Sequence, residues 1–216
     1  MGFEQVVMAR GLGRKWKVLA VLLIVAGLGL WGVLEFCGRL SLQVDPDVLE
    51  PAWTRGEVVV LVRHEERCDR SDNPCLGAKD GITEQGRLEA LRLGAAYRSL
   101  GLAGSEVVYS PRLRTEQTAR AMFGNEGDEQ TWAADCTGDV LLQLRSHKEP
   151  GRNLVAVTHS ECIQRALDQL GVDVDDYDVG YGASLFLQVQ DDGSLKPMAL
   201  VAAADWIGYR QGPVEY

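Results

Sequence analysis

The chain has 216 residues, 46% of them hydrophobic and 25% charged. That is room for one globular domain and an appendage, and it excludes a collagenous, low-complexity or disordered protein. The net charge of −9 is unevenly spread: residues 1–39 hold five basic and two acidic side chains, so the rest carries −12. An acidic domain argues against nucleic acid as a partner, and any anionic substrate has to be held by a local group of cations.

Residues 18–34 read VLAVLLIVAGLGLWGVL and carry no charge. At ~1.5 Å per residue the run is about 26 Å long, close to the bilayer core of roughly 30 Å. Trp16, Trp31 and Phe36 flank or end it, where aromatic rings favour the membrane interface. Arg10, Arg14, Lys15 and Lys17 precede it, which by the positive-inside rule leaves the N-terminus in the cytoplasm and sends the domain outside. LEFCG offers no small-residue cleavage site and a poor lipobox before Cys37, so an uncleaved signal anchor is preferred to a cleaved leader or a buried helix. The expected layout is a basic cytoplasmic tail over 1–17, a transmembrane anchor over 18–37, a linker over 38–56 and a catalytic domain over 57–216. The protein is expected in the inner membrane as a single-pass protein with its domain in the periplasm.

The linker shows Pro46 and Pro51 and no apolar period, and is read as extended. Residues 57–62, EVVVLV, form a continuous apolar run, the pattern of a strand buried on both faces. Residues 63–82 are polar and rich in turn formers. Over 83–100 a helix is predicted, with Thr83 as N-cap, Gly101 as stop and Leu88, Leu91, Ala95 and Tyr97 as its apolar stripe. A strand at 106–109 follows, then a helix opened by Ser110 and Pro111 and running to about Phe123. A strand at 131–134, a helix opening near Thr137 and reaching His147, a buried strand at 153–158 and a helix at 161–170 come next. Late strands are expected at 183–190 and 195–203. This alternation predicts an α/β domain, a three-layer sandwich with a mostly parallel sheet flanked by helices.

Besides Cys37 the chain has four cysteines, Cys68, Cys75, Cys136 and Cys162. An even number in an exported domain suggests disulfides, and Cys68 and Cys75 are close enough to close a small loop. The expected pairs are Cys68–Cys75 and Cys136–Cys162, with unpaired buried thiols as the alternative. The spacing is poor for zinc.

Three groups fall at predicted strand ends, where open α/β sheets bind ligands. EVVVLV runs into Arg63 and His64, the strand at 106–109 into Arg112 and Arg114, and NLVAVT into His159. Arginine forks pair bidentately with phosphate oxygens, and a neutral imidazole can attack phosphorus. His147, the remaining histidine, reads as a solvated helix end, and Arg112 as a surface or supporting residue.

These segments resemble the histidine phosphatase superfamily. LVRHEER is similar to the RHG signature, GITEQGRLEA to the LTxxGxxQA helix start, YSPRLRTEQTA to the SPLxRAxQTA element and VTHSECI to the second-histidine strand. The resemblance implies His64 as nucleophile, Arg63, Arg114 and His159 as ligands of the phosphoryl group, and no metal or organic cofactor. The acid that protonates the leaving oxygen is assigned to Asp135, with Glu161 as the alternative. Glu65 stands where the family has glycine; a carboxylate there would repel a dianion or raise the pKa of His64. Glu66 matches the acidic residue that often follows RHG.

The stretch ERCDRSDNPCLGAKDGIT resembles the bacterial lipopolysaccharide core heptose phosphate phosphatases, exported members of that superfamily. It implies a phosphorylated small-molecule or glycolipid substrate at an envelope surface. The alternatives are a pseudophosphatase that binds phosphorylated envelope molecules, with Glu65 as its lesion, and a phosphohistidine protein phosphatase.

Overall fold

The continuous apolar runs become the centre of one sheet. In the computed structural model, which describes residues 40, 43–173, 175 and 177–211 with side chains as far as Ile207, β1 (Val58–Arg63), β2 (Ser105–Tyr109), β3 (Gly127–Glu129), β4 (Asn153–Thr158), β5 (Ser184–Val189) and β6 (Leu195–Val201) pair in the order β3-β2-β4-β1-β5-β6. The first four run parallel and β5 and β6 antiparallel. Val58 to Val62 are all buried, because both faces of β1 are covered. One face packs Val58, Val60, Val62, Val155 and Phe186 against α1 (Pro46–Thr54), α2 (Glu84–Leu100), α3 (Leu113–Phe123) and α6 (Ala203–Gln211). The other packs Val59, Leu61, Leu154 and Leu185 against α4 (Val140–His147) and α5 (Ser160–Gln169). The α/β sandwich expected from the sequence is therefore present.

The expected anchor and tail lie outside the described residues; among the described residues no helix is long and apolar enough to cross a membrane. The expected linker is corrected in its second half. Residues 46–54 are helical: Asp45 caps the Asp47 amide at 3.0 Å, Pro46 occupies the first turn, and Leu49, Ala52 and Trp53 form the buried i, i+3, i+4 face. Pro51 obscured that period.

Helix α2 begins and ends as predicted, with the Thr83 hydroxyl accepting from the Gly86 amide at 2.9 Å and Gly101 at φ 87°. Its buried face matches the predicted one only at Tyr97. Leu88 and Leu91 are exposed, and Gly86, Ala90, Leu93, Gly94 and Tyr97 face inward. A Cβ on Gly94 would lie 2.2 Å from the Met122 carbonyl oxygen, so α2 and α3 approach too closely for a side chain there. Tight helix packing replaced large apolar residues with small ones.

Three further corrections bear on the site. Helix α3 starts at Leu113, not at Pro111, which frees the Ser110 side chain for the site. Residues 131–134 form a 3₁₀ turn rather than a strand, and the short polar strand Gly127–Glu129 takes the sheet edge instead. Helix α6 was not anticipated, though it buries Trp206 completely.

Both expected disulfides are present: Cys68–Cys75 and Cys136–Cys162. Closing so short a loop as the first stabilises by roughly 2–3 kcal/mol in the chain-entropy treatment. It braces the segment that follows the nucleophile candidate.

Candidate active site

Parallel strands β2, β4 and β1 are neighbours, so their carboxyl ends share one edge of the sheet. The His64 amide donates to the Thr158 carbonyl at 2.9 Å and the Ser110 amide to the Val157 carbonyl at 3.1 Å, which aligns the three strand exits. His64 and His159 are both buried, with ring centroids 5.5 Å apart. Arg114, in the first turn of α3, reaches between them. Its Nε donates to His64 Nε2 at 3.0 Å and its Nη2 lies 3.3 Å from His159 Nδ1.

Hydrogen-bond partners fix the protons. His64 Nδ1 lies 2.8 Å from the Glu65 carbonyl oxygen, which can only accept. Nδ1 therefore carries the hydrogen, and Nε2 presents its lone pair to the site. On His159, Nε2 meets the Ser110 hydroxyl at 2.8 Å. The Thr115 hydroxyl donates to the carbonyls of Ser110 and Arg112, so the Ser110 hydroxyl donates to Thr115 and accepts from His159 Nε2. His159 Nδ1 is left facing Arg114.

Burial lowers the His64 pKa to about 3, helped by the charges of Arg114, His159 and Arg63. Burial and the Arg114 charge lower His159 to about 4. Both rings are neutral near pH 7, and a neutral imidazole is the nucleophilic form. A phosphate dianion placed among these groups raises both values.

Arg63 completes the cluster. One of its terminal nitrogens donates to the Val179 carbonyl, its guanidinium carbon sits 4.1 Å from the centroid of the Tyr181 ring, and its Nε is buried without a partner among the described residues. An orphaned buried guanidinium N–H is costly unless a ligand supplies an acceptor. Two guanidinium groups thus flank His64, and His159 Nδ1 becomes a third donor once a bound dianion raises the His159 pKa and protonates it, a set suited to phosphoryl oxygens.

Of the expected site residues, Arg63, His64, Arg114 and His159 come together, and Asp135 does not. The Asp135 carboxylate accepts from the Thr137 hydroxyl at 2.9 Å and from Gln143 at 3.1 Å, bonds that hold its pKa below the usual carboxylate range. It was placed at a strand end, but residues 131–134 are a 3₁₀ turn and the side chain caps the chain that follows. Glu161, in the first turn of α5, is the carboxylate that acts on both His159 and Arg114. Its own backbone amide lowers its pKa, against burial. His147 is exposed and stacks on Trp132 at 4.4 Å, and Arg112 is exposed. Among the described residues no cluster of His, Cys, Asp or Glu is arranged to hold a metal ion.

Glu66 locks the loop: it accepts from Thr83 at 2.6 Å, Asn73 at 2.9 Å and Ser71 at 3.0 Å. The nucleophile loop is thereby tied to the cap of α2. Tyr181 was missed in the sequence because it lies in the turn VGYGAS, which carries no periodicity; the paired glycines around it were its one signal.

Glu65 behaves differently from the sequence expectation. Its side chain is only 3% exposed and turns toward Gly86 and Gly182, where a Cβ on Gly182 (φ 69°) would meet its Oε1 at 2.5 Å. Burial, with the Glu89 charge second, raises its pKa to about 8, so it is protonated near pH 7. The Arg63 charge opposes that rise but does not offset the burial. The repulsion anticipated from the sequence therefore has no charge behind it at that pH.

A stability prediction follows from the same burial. The folded pKa of about 8 exceeds the ordinary 4.5, so this group's contribution is fully present below pH 4.5 and is lost as pH rises through 8. Glu65→Gln removes the titration. Relative to that variant, the wild type is expected to lose roughly 3 kcal/mol between pH 5 and pH 8. Urea unfolding of both proteins at the two pH values measures it; a difference independent of pH would mean that Glu65 is not a buried neutral acid.

No family profile matches the chain. Over 149 residues it is 32% identical to the lipopolysaccharide core heptose(II)-phosphate phosphatase of Escherichia coli O7:K1, covering 68% of this chain and 73% of that protein. Among solved structures it resembles a phosphoserine phosphatase of Entamoeba histolytica (14% identical, 68% of this chain and 98% of that one, TM-score 0.53). It also resembles a structure assigned as the phosphohistidine phosphatase SixA of Agrobacterium tumefaciens (17% identical, 68% and 98%, TM-score 0.51). At such identities the two structures speak for the fold, and the curated relative for the family. The chain is a phosphatase of the histidine phosphatase superfamily and belongs to the family of the lipopolysaccharide core heptose(II)-phosphate phosphatases.

Proposed function

We propose that the protein hydrolyses a phosphate monoester through a phosphohistidine on His64, and that its substrate is a phosphorylated heptose of the lipopolysaccharide core. The observation that carries the mechanism is the convergence of His64 Nε2 and His159 Nδ1 on one guanidinium, that of Arg114. Phosphate oxygens replace those contacts. His64 Nε2 attacks phosphorus, and the Nδ1 hydrogen bond to the Glu65 carbonyl supports the positive charge that develops on the ring. Arg63, Arg114 and His159 hold the equatorial oxygens. The bond to the sugar oxygen breaks as that oxygen takes a proton. Glu161 is the assigned donor in place of Asp135, since a bound dianion raises its pKa by like-charge repulsion. Water then attacks phosphorus, giving its proton to Glu161, and inorganic phosphate leaves His64 free.

The substrate assignment draws on the heptose(II)-phosphate phosphatase relative and on the loop at 66–83. A signal anchor over 18–37, with the domain in the periplasm, fits both that substrate and the two disulfides. The pseudophosphatase reading is weakened, because burial keeps the Glu65 carboxyl mostly protonated near pH 7. Incubation with a deacylated core oligosaccharide phosphorylated on heptose tests the assignment. Release of inorganic phosphate with loss of one phosphate group from the oligosaccharide is expected. Release only from phosphohistidine peptides would favour the protein phosphatase alternative.

A further inference from the structure

We propose that Tyr181 is a positioning residue for phosphoryl recognition, acting through Arg63. The Tyr181 ring touches two members of the site: the Arg63 guanidinium carbon lies 4.1 Å from its centroid, and the His64 ring centroid lies 5.9 Å away. The inference rests on the phosphoryl-site reading.

Arginine at the end of a strand has four rotatable side-chain bonds and a planar head, so its fork needs restraint in two respects. The Val179 carbonyl takes one terminal N–H and limits rotation about the long axis of the side chain. The aromatic face of Tyr181 restrains the tilt of the plane, since a guanidinium is attracted to the negative face of the ring. Both restraints come from the same turn before β5, and that turn is itself anchored to Arg63. The Gly182 amide donates to the Arg63 carbonyl at 3.2 Å, and the Arg63 amide donates to Ala183 at 2.9 Å. The turn that carries Tyr181 is thus in register with the residue it orients.

With one N–H committed to Val179 and one face covered by Tyr181, the buried Arg63 Nε has no partner among the described residues. Leaving it so costs stability, and a phosphoryl oxygen beside His64 would remove the cost. Tyr181 therefore preorganises a donor whose acceptor arrives with the substrate. The ring face does this work and the hydroxyl does not, which separates the proposal from a hydrogen-bonding or acid role for the tyrosine.

The test is inhibition of the full-length protein by orthovanadate, together with kcat and KM for p-nitrophenyl phosphate, for Tyr181→Leu, Tyr181→Phe, Arg63→Ala and the double variant Arg63→Ala/Tyr181→Leu. Tyr181→Leu is expected to weaken vanadate inhibition about tenfold, the order of a partly desolvated cation–π contact. Tyr181→Phe, which keeps the ring, is expected to lose at most about threefold. In the Arg63→Ala background Tyr181→Leu is expected to add little, because its partner is already gone. Thermal melting of each variant identifies losses that come from misfolding. Equal inhibition of Tyr181→Leu and wild type would overturn the proposal, as would losses that simply multiply in the double variant or a Phe variant as damaged as the Leu variant. Equal inhibition of Arg63→Ala and wild type would count against the phosphoryl-site reading itself and would take this proposal with it.

Discussion

Replacing His64 by alanine is expected to abolish turnover, with loss of the phosphoenzyme and no change in fold. The size of the effect comes from the proton inventory. His64 Nε2 is the lone pair at the centre of the site, because Nδ1 is committed to the Glu65 carbonyl. His159 is expected not to substitute: its Nε2 donates to Ser110, and its Nδ1, beside Arg114, is assigned to a phosphoryl oxygen rather than to phosphorus. Residual activity from the remaining donors acting on a water nucleophile is expected to lie several orders of magnitude below wild type. Steady-state hydrolysis of p-nitrophenyl phosphate, with circular dichroism as the control for folding, measures it. A His64→Ala variant within tenfold of wild type would show that water, or another group, is the nucleophile.

Arg114→Ala is expected to have the second-largest effect, a fall in kcat of about 10²–10³ from the loss of one preorganised donor at transition-state charge. Arg114 stands out because it contacts both histidines at once, and because burial already lowers its pKa, with Arg67 and Arg112 adding to the effect. A dianion is what offsets so crowded a positive site. Arg114→Lys should restore little, since an ammonium cannot reproduce two donors in a fixed plane. His159→Ala should fall in the same range. Arg112→Ala and His147→Ala should change kcat far less: both side chains are exposed, and His147 lies against Trp132. A kcat for Arg114→Ala within a few-fold of wild type, measured at saturating substrate, would remove it from the transition state.

The sequence made the centre of the site legible for a physical reason. Strands covered on both faces need unbroken apolar runs, and EVVVLV and NLVAVT end abruptly at Arg63-His64 and His159. The helix cap at Thr83 and its stop at Gly101 were equally plain, because capping chemistry is local. Packing was not local and was read less well. The buried face of α2 uses glycine and alanine to approach α3, so a count of large apolar residues selected the exposed Leu88 and Leu91. Helix α1 hid its three buried positions behind Pro51. Edge strand β3 is three polar-flanked residues with no alternation to detect, and missing it put a strand at 131–134 and Asp135 at its end. Tyr181 and the inward turn of Glu65 depend on a loop that closes from more than a hundred residues away, which no window of sequence contains.

The most direct measurement is to trap the intermediate. The protein is mixed with a labelled phosphate ester, quenched in alkali within the first turnovers and mapped by peptide mass spectrometry, since phosphohistidine survives alkali and is lost in acid. One phosphoryl group on the peptide containing His64, labile to acid and absent from the His64→Ala variant, is the expected result. Multiple turnovers by wild type with no label on that peptide, or a label that resists acid and sits on a serine or threonine, would contradict the phosphohistidine mechanism.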